Sequence, residues 1–378
     1  MPAPDVLVIG GGIVGLVAAI ELATGGASVT VIDSGQNAGS STNAGSLHVQ
    51  MQSRFIRLFP EQAPNVEAAL PLYKQAALLW ADLENRIGPC ELTRHGGLML
   101  AEGDAQMAFL EDKARREEAK GLDVALLDRA ALDRIAPWLG PQIVGAELCR
   151  DEGKLNPLLV ARRLHAMCAR LGVEIKADTV TRLERQGGQL VATGKSATYR
   201  AKEVVVAAAW GSGEIVRGFG IHIPTQAEPL HMNITEACAQ EIKHLVQHAE
   251  RSITLKQFKS GQIVIGGGWP AHANGPTDVP SVKVDSFLGN VGLAARLVPA
   301  IGRLRIIRTW AGMNTTADGA SIVGRLAQDP AVTVAVPGDA GYTLGPLVAQ
   351  MAAAIVLGTD PPADPAPFTP NRFAAPIA

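Results

Sequence analysis

The sequence predicts an α/β protein with an α+β insert, and three observations carry that class. A short apolar run at Val6–Ile9, helical spacing over Ile13–Thr24 and a second apolar run at Val29–Ile32 make a strand–helix–strand unit. Apolar runs of the same kind return at "VVVAAA" (204–209) and "VTVAV" (332–336), which fits parallel strands buried on both faces. The material between them differs: it carries helical spacing and, at "SITLKQF" and "GQIVIGGG", two strands joined by a turn at Lys259–Gly261.

The remaining elements follow in order. Residues from about 61 to 136 read as helical: Pro71–Arg86 on the spacing of Leu72, Ala76, Leu79 and Leu83, Asp104–Lys120 on a charged side, and Ala130–Ile135 closed by Pro137 and Trp138. Asn156–Leu171 is a helix with Pro157 in its first turn, followed by "GVEI" as a strand. Val282–Leu297 and Leu347–Leu357 are helices, and the proline-rich tail from Thr359 is expected to be extended on the surface. The strand–helix pieces lie at both ends and in the middle, so the domains are discontinuous. Residues 1–55, 145–215 and 309–378 are expected to form a dinucleotide-binding domain, and 56–144 and 216–308 a substrate and interface domain.

Composition narrows the function. With 378 residues, 47% hydrophobic and 19% charged, the chain is globular and long enough for two domains. A net charge of −2 without a basic block excludes a nucleic-acid partner. Four scattered cysteines without a CxxC pair suggest neither zinc nor iron–sulfur, and so no metal, and read as free thiols in the cytoplasm. Cys168 is expected in the core. The N-terminus has no basic region, so no secretion signal is expected. The apolar stretch Val6–Ala23 contains a glycine cluster and Glu21, which argues against a transmembrane segment. His244 and His248, four apart beside Glu241, are expected on an exposed polar helix face.

The chemistry begins at "VIGGGIVGLVAAIELATGGASVTVID", Val8–Asp33. Gly10 permits the tight turn, Gly12 leaves room for a pyrophosphate, and Gly15 lets the helix lie close on the sheet. Ile13 and Val14 open a helix whose N–H groups and dipole favour phosphate. Asp33 is placed to accept the ribose hydroxyls, with Ser34 beside it. The next segment, "SGQNAGSSTNAGSLHVQ", is too polar for a strand or a core helix, where a nicotinamide domain returns to helix and strand.

At this point the chain resembles the D-amino acid oxidase superfamily, the group with glycine oxidase, sarcosine oxidase and D-amino acid dehydrogenase. The resemblance lies in GGGIVG with Asp33, "STNAG" (41–45), "VVVAAAWGS" (204–212), "RTWAGMNTTADGASIVG" (308–324) and "PGDAGYTLGP" (337–346). "NAGSLHVQ" and "IGGGWPA" further resemble the β subunits of hetero-oligomeric dehydrogenases acting on opines, proline or hydroxyproline. The resemblance implies a Rossmann-type FAD-binding domain and non-covalent FAD. It implies that Ser40, Ser41, Thr42, Asn43, Ala44, Gly45 and Leu47 line the ribityl chain and flavin. Val180 then meets the adenine region, Ala208, Ala209 and Trp210 pass near the dinucleotide, and Gly312 lies by the ring. Gly338, Asp339, Ala340, Gly341, Tyr342 and Thr343 offer donors to the flavin N1–C2=O end, where a reduced flavin carries charge.

The implied reaction is oxidation of the C–N bond of a secondary amine or an amino or imino acid, by hydride transfer to flavin N5. The chain is implied to be a dehydrogenase or oxidase within an oligomer, handing electrons to a partner subunit or to oxygen. It departs from the pattern where many relatives place Arg-Pro after "WAG": here stand Met313 and Asn314, so that carboxylate clamp is absent. Lys256 and Arg54 are the substitute cations. His48 and Gln50 follow the flavin loop, Tyr342 offers a hydroxyl, Trp269 and Trp310 offer pocket walls, and Asp339 offers a site for a substrate amine. His48, Lys256 and Tyr342 are the catalytic candidates. Rival readings are a structural FAD-binding subunit, or another flavin or nicotinamide enzyme. The last lacks a second GxGxxG, since "IVIGGG" is followed by "GWPA" and not by a helix.

Overall fold

The computed structural model describes residues 3–35, 39–239, 241–275 and 279–374, without the side chains of Arg54 and Phe55. A six-stranded sheet runs in the order Ile322–Arg325, Val332–Val336, Glu203–Val206, Val6–Ile9, Val29–Asp33, Glu174–Ala177. The last five are mutually parallel and Ile322–Arg325 is an antiparallel edge. Alternation divides its residues between two faces. Val8, Val31, Val205 and Ala335 pack with the helices Ile13–Thr24 and Gly341–Leu357. Leu7, Ile9, Ile32, Val206 and Val334 pack against Leu183, Leu190 and Ala192 of a three-stranded antiparallel sheet. Burial on both faces explains why these strands read as unbroken apolar runs.

An eight-stranded sheet forms the second layer, in the order Ile306–Thr316, Gln226–Thr235, Ile263–Gly266, Thr254–Gln257, Leu245–His248, Gly97–Ala101, Gly145–Cys149, Val124–Asp128. It is antiparallel except where Leu245–His248 runs parallel to Gly97–Ala101. Three expectations are corrected here. The stretch 61–136 is not all helical, because Gly97–Ala101 and Val124–Asp128 are strands. Each is a run of five between turns, too short to hold a helix against sheet pairing. His244 and His248 are not on a helix: Leu245–His248 is a fully buried strand, and both imidazoles are buried. Burial pulls each down to about pH 4. The tail contains two short 3₁₀ turns, Ala366–Phe368 and Pro370–Phe373, and is tied down by Arg372 on Asp318.

The helix Gly341–Leu357 begins six residues before the expected Leu347. Pro346 lies inside it and has no N–H to give the carbonyl of Tyr342 four residues back. The indole Nε1 of Trp80 donates to that carbonyl instead, at 3.1 Å. Trp80 and Tyr342 also stack, with ring centroids 5.5 Å apart and planes 6° from parallel.

Candidate active site

The site is built around the turn after Val6–Ile9. Gly10 has φ +110°, and a Cβ there would overlap the carbonyl oxygen of Ala207. A Cβ on Gly15 would overlap the carbonyl oxygen of Gly10, so only glycine lets the helix sit this close. Gly11, which the motif reading passed over, donates its N–H to Asp33 Oδ1 at 3.1 Å, and its Cβ position lies 2.8 Å from Asp33 Cβ. Ser40 Oγ accepts from Ile13 N at 2.9 Å, joining the polar loop to the helix N-terminus.

The loop from residue 39 to 47 is held from both layers. Asn43 Oδ1 closes an Asx turn on Gly45 N at 2.7 Å. Trp310 Nε1 donates to the carbonyl of Thr42 at 2.9 Å, so this indole braces the loop. Lys256, fully buried on Thr254–Gln257, donates to Ser46 Oγ at 2.5 Å. Burial, with Lys154 adding repulsion, lowers the Lys256 ammonium to about 7.

A continuous cavity of about 930 Å³ follows from this loop. Gly10, Gly12, Ile13, Val14, Asp33, Ser34, Val180 and residues 208–210 line it. Ser40, residues 42–44, Gly312 and residues 338–343 line it too, as do His48, Gln50, Met313 and Asn314. Gly15, Ser41, Gly45, Leu47, Lys256 and Trp269 do not. Gly15, Gly45 and Leu47 support the wall from behind, while Lys256 touches it through Ser46. Trp269 instead lines a separate cavity of about 550 Å³ with Arg251 and Arg296, and its Nε1 donates to Ser252 O at 2.6 Å. The side chain of Arg54 lies outside the described residues. Ala209 has φ +53° at the cavity wall, a strained conformation for a residue with a Cβ.

Two expectations about the substrate end change. The Tyr342 hydroxyl does not face the cavity. The ring is 4% exposed, in the core, and the hydroxyl donates to Pro157 O at 3.5 Å. The amide of Asn314, standing where many relatives carry an arginine, donates to Glu228 Oε2 and Asp339 Oδ1, both at 3.1 Å. Tyr73 and His231 were missed and line the cavity. Burial and then the charge of Asp339 push the Tyr73 hydroxyl up. Burial pulls His231 down, partly offset by its contact with Asn233 Oδ1 at 2.9 Å. Neither carried a signal, since Tyr73 lies in a helix otherwise read by its aliphatic spacing.

His48 and Gln50 rest on a buried carboxylate that also escaped the sequence reading. Glu152 Oε1 accepts from Val49 N at 2.9 Å and lies 3.7 Å from His48 Nδ1. Its Oε2 accepts from Gln50 Nε2 at 2.9 Å.

The residues present fit FAD. Backbone packed too tightly for a Cβ at Gly10 and Gly15, a helix N-terminus and a carboxylate at the next strand end form a dinucleotide cradle. The cavity continues from it to the N-terminus of Gly341–Leu357, where Gly341, Tyr342 and Thr343 present first-turn N–H groups. Among the described residues no helix is long and apolar enough to cross a membrane.

Comparisons with known proteins agree with this geometry. Residues 5–355 match the family model DAO, described as FAD dependent oxidoreductase. The chain is 26% identical to glycine oxidase from Bacillus licheniformis over 94% of this chain and 93% of that one. It is 24% identical to a subunit of opine oxidase from Agrobacterium tumefaciens over 84% of each. In fold it resembles the crystal structure of glycine oxidase from Geobacillus kaustophilus, with TM-score 0.86 and 20% identity over 99% of this chain and 100% of that one. With the cradle, the flavin loop and a match across most of its length, this chain belongs to the DAO family of FAD-dependent oxidoreductases.

Proposed function

We propose that the protein oxidises the C–N bond of a secondary amine or an N-substituted or cyclic amino acid, of opine or proline type, and passes the electrons to a partner subunit. The observation that carries this is the single cavity joining the dinucleotide cradle to a wall of His48, Gln50, Asn314 and Asp339. A substrate seated there meets hydrogen-bonding groups on one side and the flavin position on the other. Bound FAD would supply the acceptor for the hydride on the carbon beside the amine. The resulting imine hydrolyses in water to a carbonyl compound and an amine.

The chain's own part is to bind, orient and deprotonate. Asp339, fixed by Asn314, accepts a hydrogen bond from the substrate amine. Lys256, which reaches the cavity only through Ser46, and Arg54 are the cations that would balance the charge of a substrate carboxylate. The likeness to the opine oxidase chain supports both the opine class and a partner subunit. None of the four cysteines lines the cavity, which supports FAD held without a covalent link to a cysteine.

The test is anaerobic mixing of the FAD-loaded protein with opines, N-alkyl amino acids, proline and glycine. Bleaching of the flavin by an opine or cyclic amino acid, and weakly by glycine, is expected. A flavin that none of them bleaches would leave a structural FAD-binding subunit as the reading.

A further inference from the structure

Behind the cavity wall lies a set of charged side chains with no contact to the cavity. Lys113, Glu117, Glu147 and Glu152 are each at most 1% exposed. They come from the helix Asp104–Ala119, the strand Gly145–Cys149 and the link to the strand Gly153–Lys154. Lys113 Nζ lies 2.8 Å from Glu117 Oε1 and 2.9 Å from Glu147 Oε2, and donates to Gln50 Oε1 at 3.1 Å. Glu117 Oε1 also accepts from Met51 N at 2.6 Å. Glu152 accepts from Val49 N, Gln50 N and Gln50 Nε2, and from Gln247 Nε2 at 2.9 Å.

Packing alone does not account for such a set, because buried ion pairs seldom outperform apolar residues of the same shape. What its members share is the segment 48–51, which they grip through every backbone N–H from Val49 to Met51. His48 stands on that segment. Its Nδ1 is buried with no hydrogen-bond partner and faces Glu152 Oε1, while the ring keeps 15% of its surface and lines the cavity. A ring nitrogen facing a carboxylate favours carrying the proton, which leaves the other nitrogen as an acceptor.

We infer that Glu152 is a positioning residue that holds His48 with its proton on Nδ1 and Nε2 open to the cavity, where Nε2 takes the proton of an ammonium substrate. The inference rests on the amine-oxidation reading. In the step, the substrate N–H bond breaks and its electron pair stays on nitrogen. The proton forms an N–H bond at Nε2, and the imidazolium charge is answered by Glu152. The neutral amine is the form from which a hydride can leave.

Other titratable groups surround this pair. Lys113, Glu117 and Glu147 lie behind Gln50, and burial holds Glu117 well above the usual carboxyl range, which trims the negative charge of the set. Cys149 is beside Glu152, and burial with that carboxylate pushes its thiol up. Lys154 and Lys256 lie across Ser46, and Tyr73 and Asp339 line the same cavity.

The test compares FAD-loaded wild type, Glu152→Gln, His48→Asn and the double variant. Anaerobic bleaching by an active amine is followed from about pH 6 to about pH 10, across the amine's own pKa. Below that pKa, each single variant should slow bleaching about 100-fold, the scale of general acid–base catalysis. Above it all rates should converge on wild type, and the double variant should be no slower than His48→Asn. Nitrogen-15 NMR of labelled histidine, without substrate, should show His48 protonated at Nδ1 in wild type and at Nε2 in Glu152→Gln. Equal slowing at every pH with an unchanged tautomer would mean a merely structural Glu152 and overturn the inference. If Glu152→Gln fails to fold, a pH-independent loss in His48→Asn overturns it equally. A wild type that no amine bleaches overturns the amine reading itself, a result distinct from bleaching without the predicted pH dependence.

Discussion

Replacing Trp80 with Phe removes the indole N–H that serves the Tyr342 carbonyl, an acceptor left open by Pro346. Both rings are buried, Trp80 at 0% exposure and Tyr342 at 4%, so water cannot take over. An unsatisfied buried acceptor costs about 1–3 kcal/mol. The smaller ring leaves a void worth roughly another 1 kcal/mol. The expected loss is therefore about 2–4 kcal/mol, with weaker FAD retention because Gly341–Thr343 line the cavity at that helix end. Pro346→Ala tests the cause. It restores the N–H four residues after Tyr342, so in the Trp80→Phe background it should return about 1 kcal/mol. In wild type the same change should be neutral or destabilising by up to about 1 kcal/mol, through the looser unfolded chain. Urea unfolding followed by far-ultraviolet circular dichroism gives the four stabilities of the cycle. If the two changes add to within about 0.5 kcal/mol, the carbonyl is not the link between them and the argument fails.

Three further outcomes follow from the structure. Gly15→Ala should yield protein that purifies without yellow colour, because the added Cβ overlaps the Gly10 carbonyl and forces the helix off the turn; a normal flavin spectrum would refute this. Lys256→Met should stabilise the protein at pH 7. The folded ammonium titrates near 7 and the unfolded one near 10.5, so wild type gains stability as pH rises through that window, by at most about 1.4 kcal/mol per unit, and the advantage of Met should fade by about pH 10 in thermal melts. His248→Asn should blunt acid unfolding. The folded imidazole is depressed to about 4 against 6.5 unfolded, so wild type loses stability as pH falls through that range, and Asn keeps an acceptor for the N–H groups of Glu250 and Arg251. An unchanged acid limb would show that His248 does not govern it.

The cradle was legible because its logic is local. Gly10, Gly15 and Asp33 act within one strand–helix–strand unit, where spacing along the chain fixes spacing in space. The buried parallel strands were legible for a related reason, since burial on both faces leaves an unbroken apolar run. Gly97–Ala101 and Leu245–His248 were not, because each is a short run whose strand character comes from pairing with the other, almost 150 positions away in sequence by the Leu98–Val246 register. Tyr342 misled in the opposite way: a hydroxyl beside a glycine-rich loop suggests substrate, yet stacking on Trp80 turns it into the core.

The substrate end was least legible, and Glu152 shows the physical reason. In sequence it stands in "DEGK", next to a glycine and among charges, the pattern of a solvated turn. Its burial depends on partners that arrive from two separate stretches, Val49 with Gln50 and Gln247, and Gln50 is held in turn by Lys113, which Glu117 and Glu147 neutralise. A buried charge survives only when such partners converge, so the property that makes it informative is tertiary by nature. The cofactor half of this site can be read from one βαβ unit because phosphate binding needs only backbone. A substrate half requires side chains from distant segments held at fixed distances, and the contacts of Asn314 with Asp339 and of His48 with Glu152 form only when these distant segments are brought together.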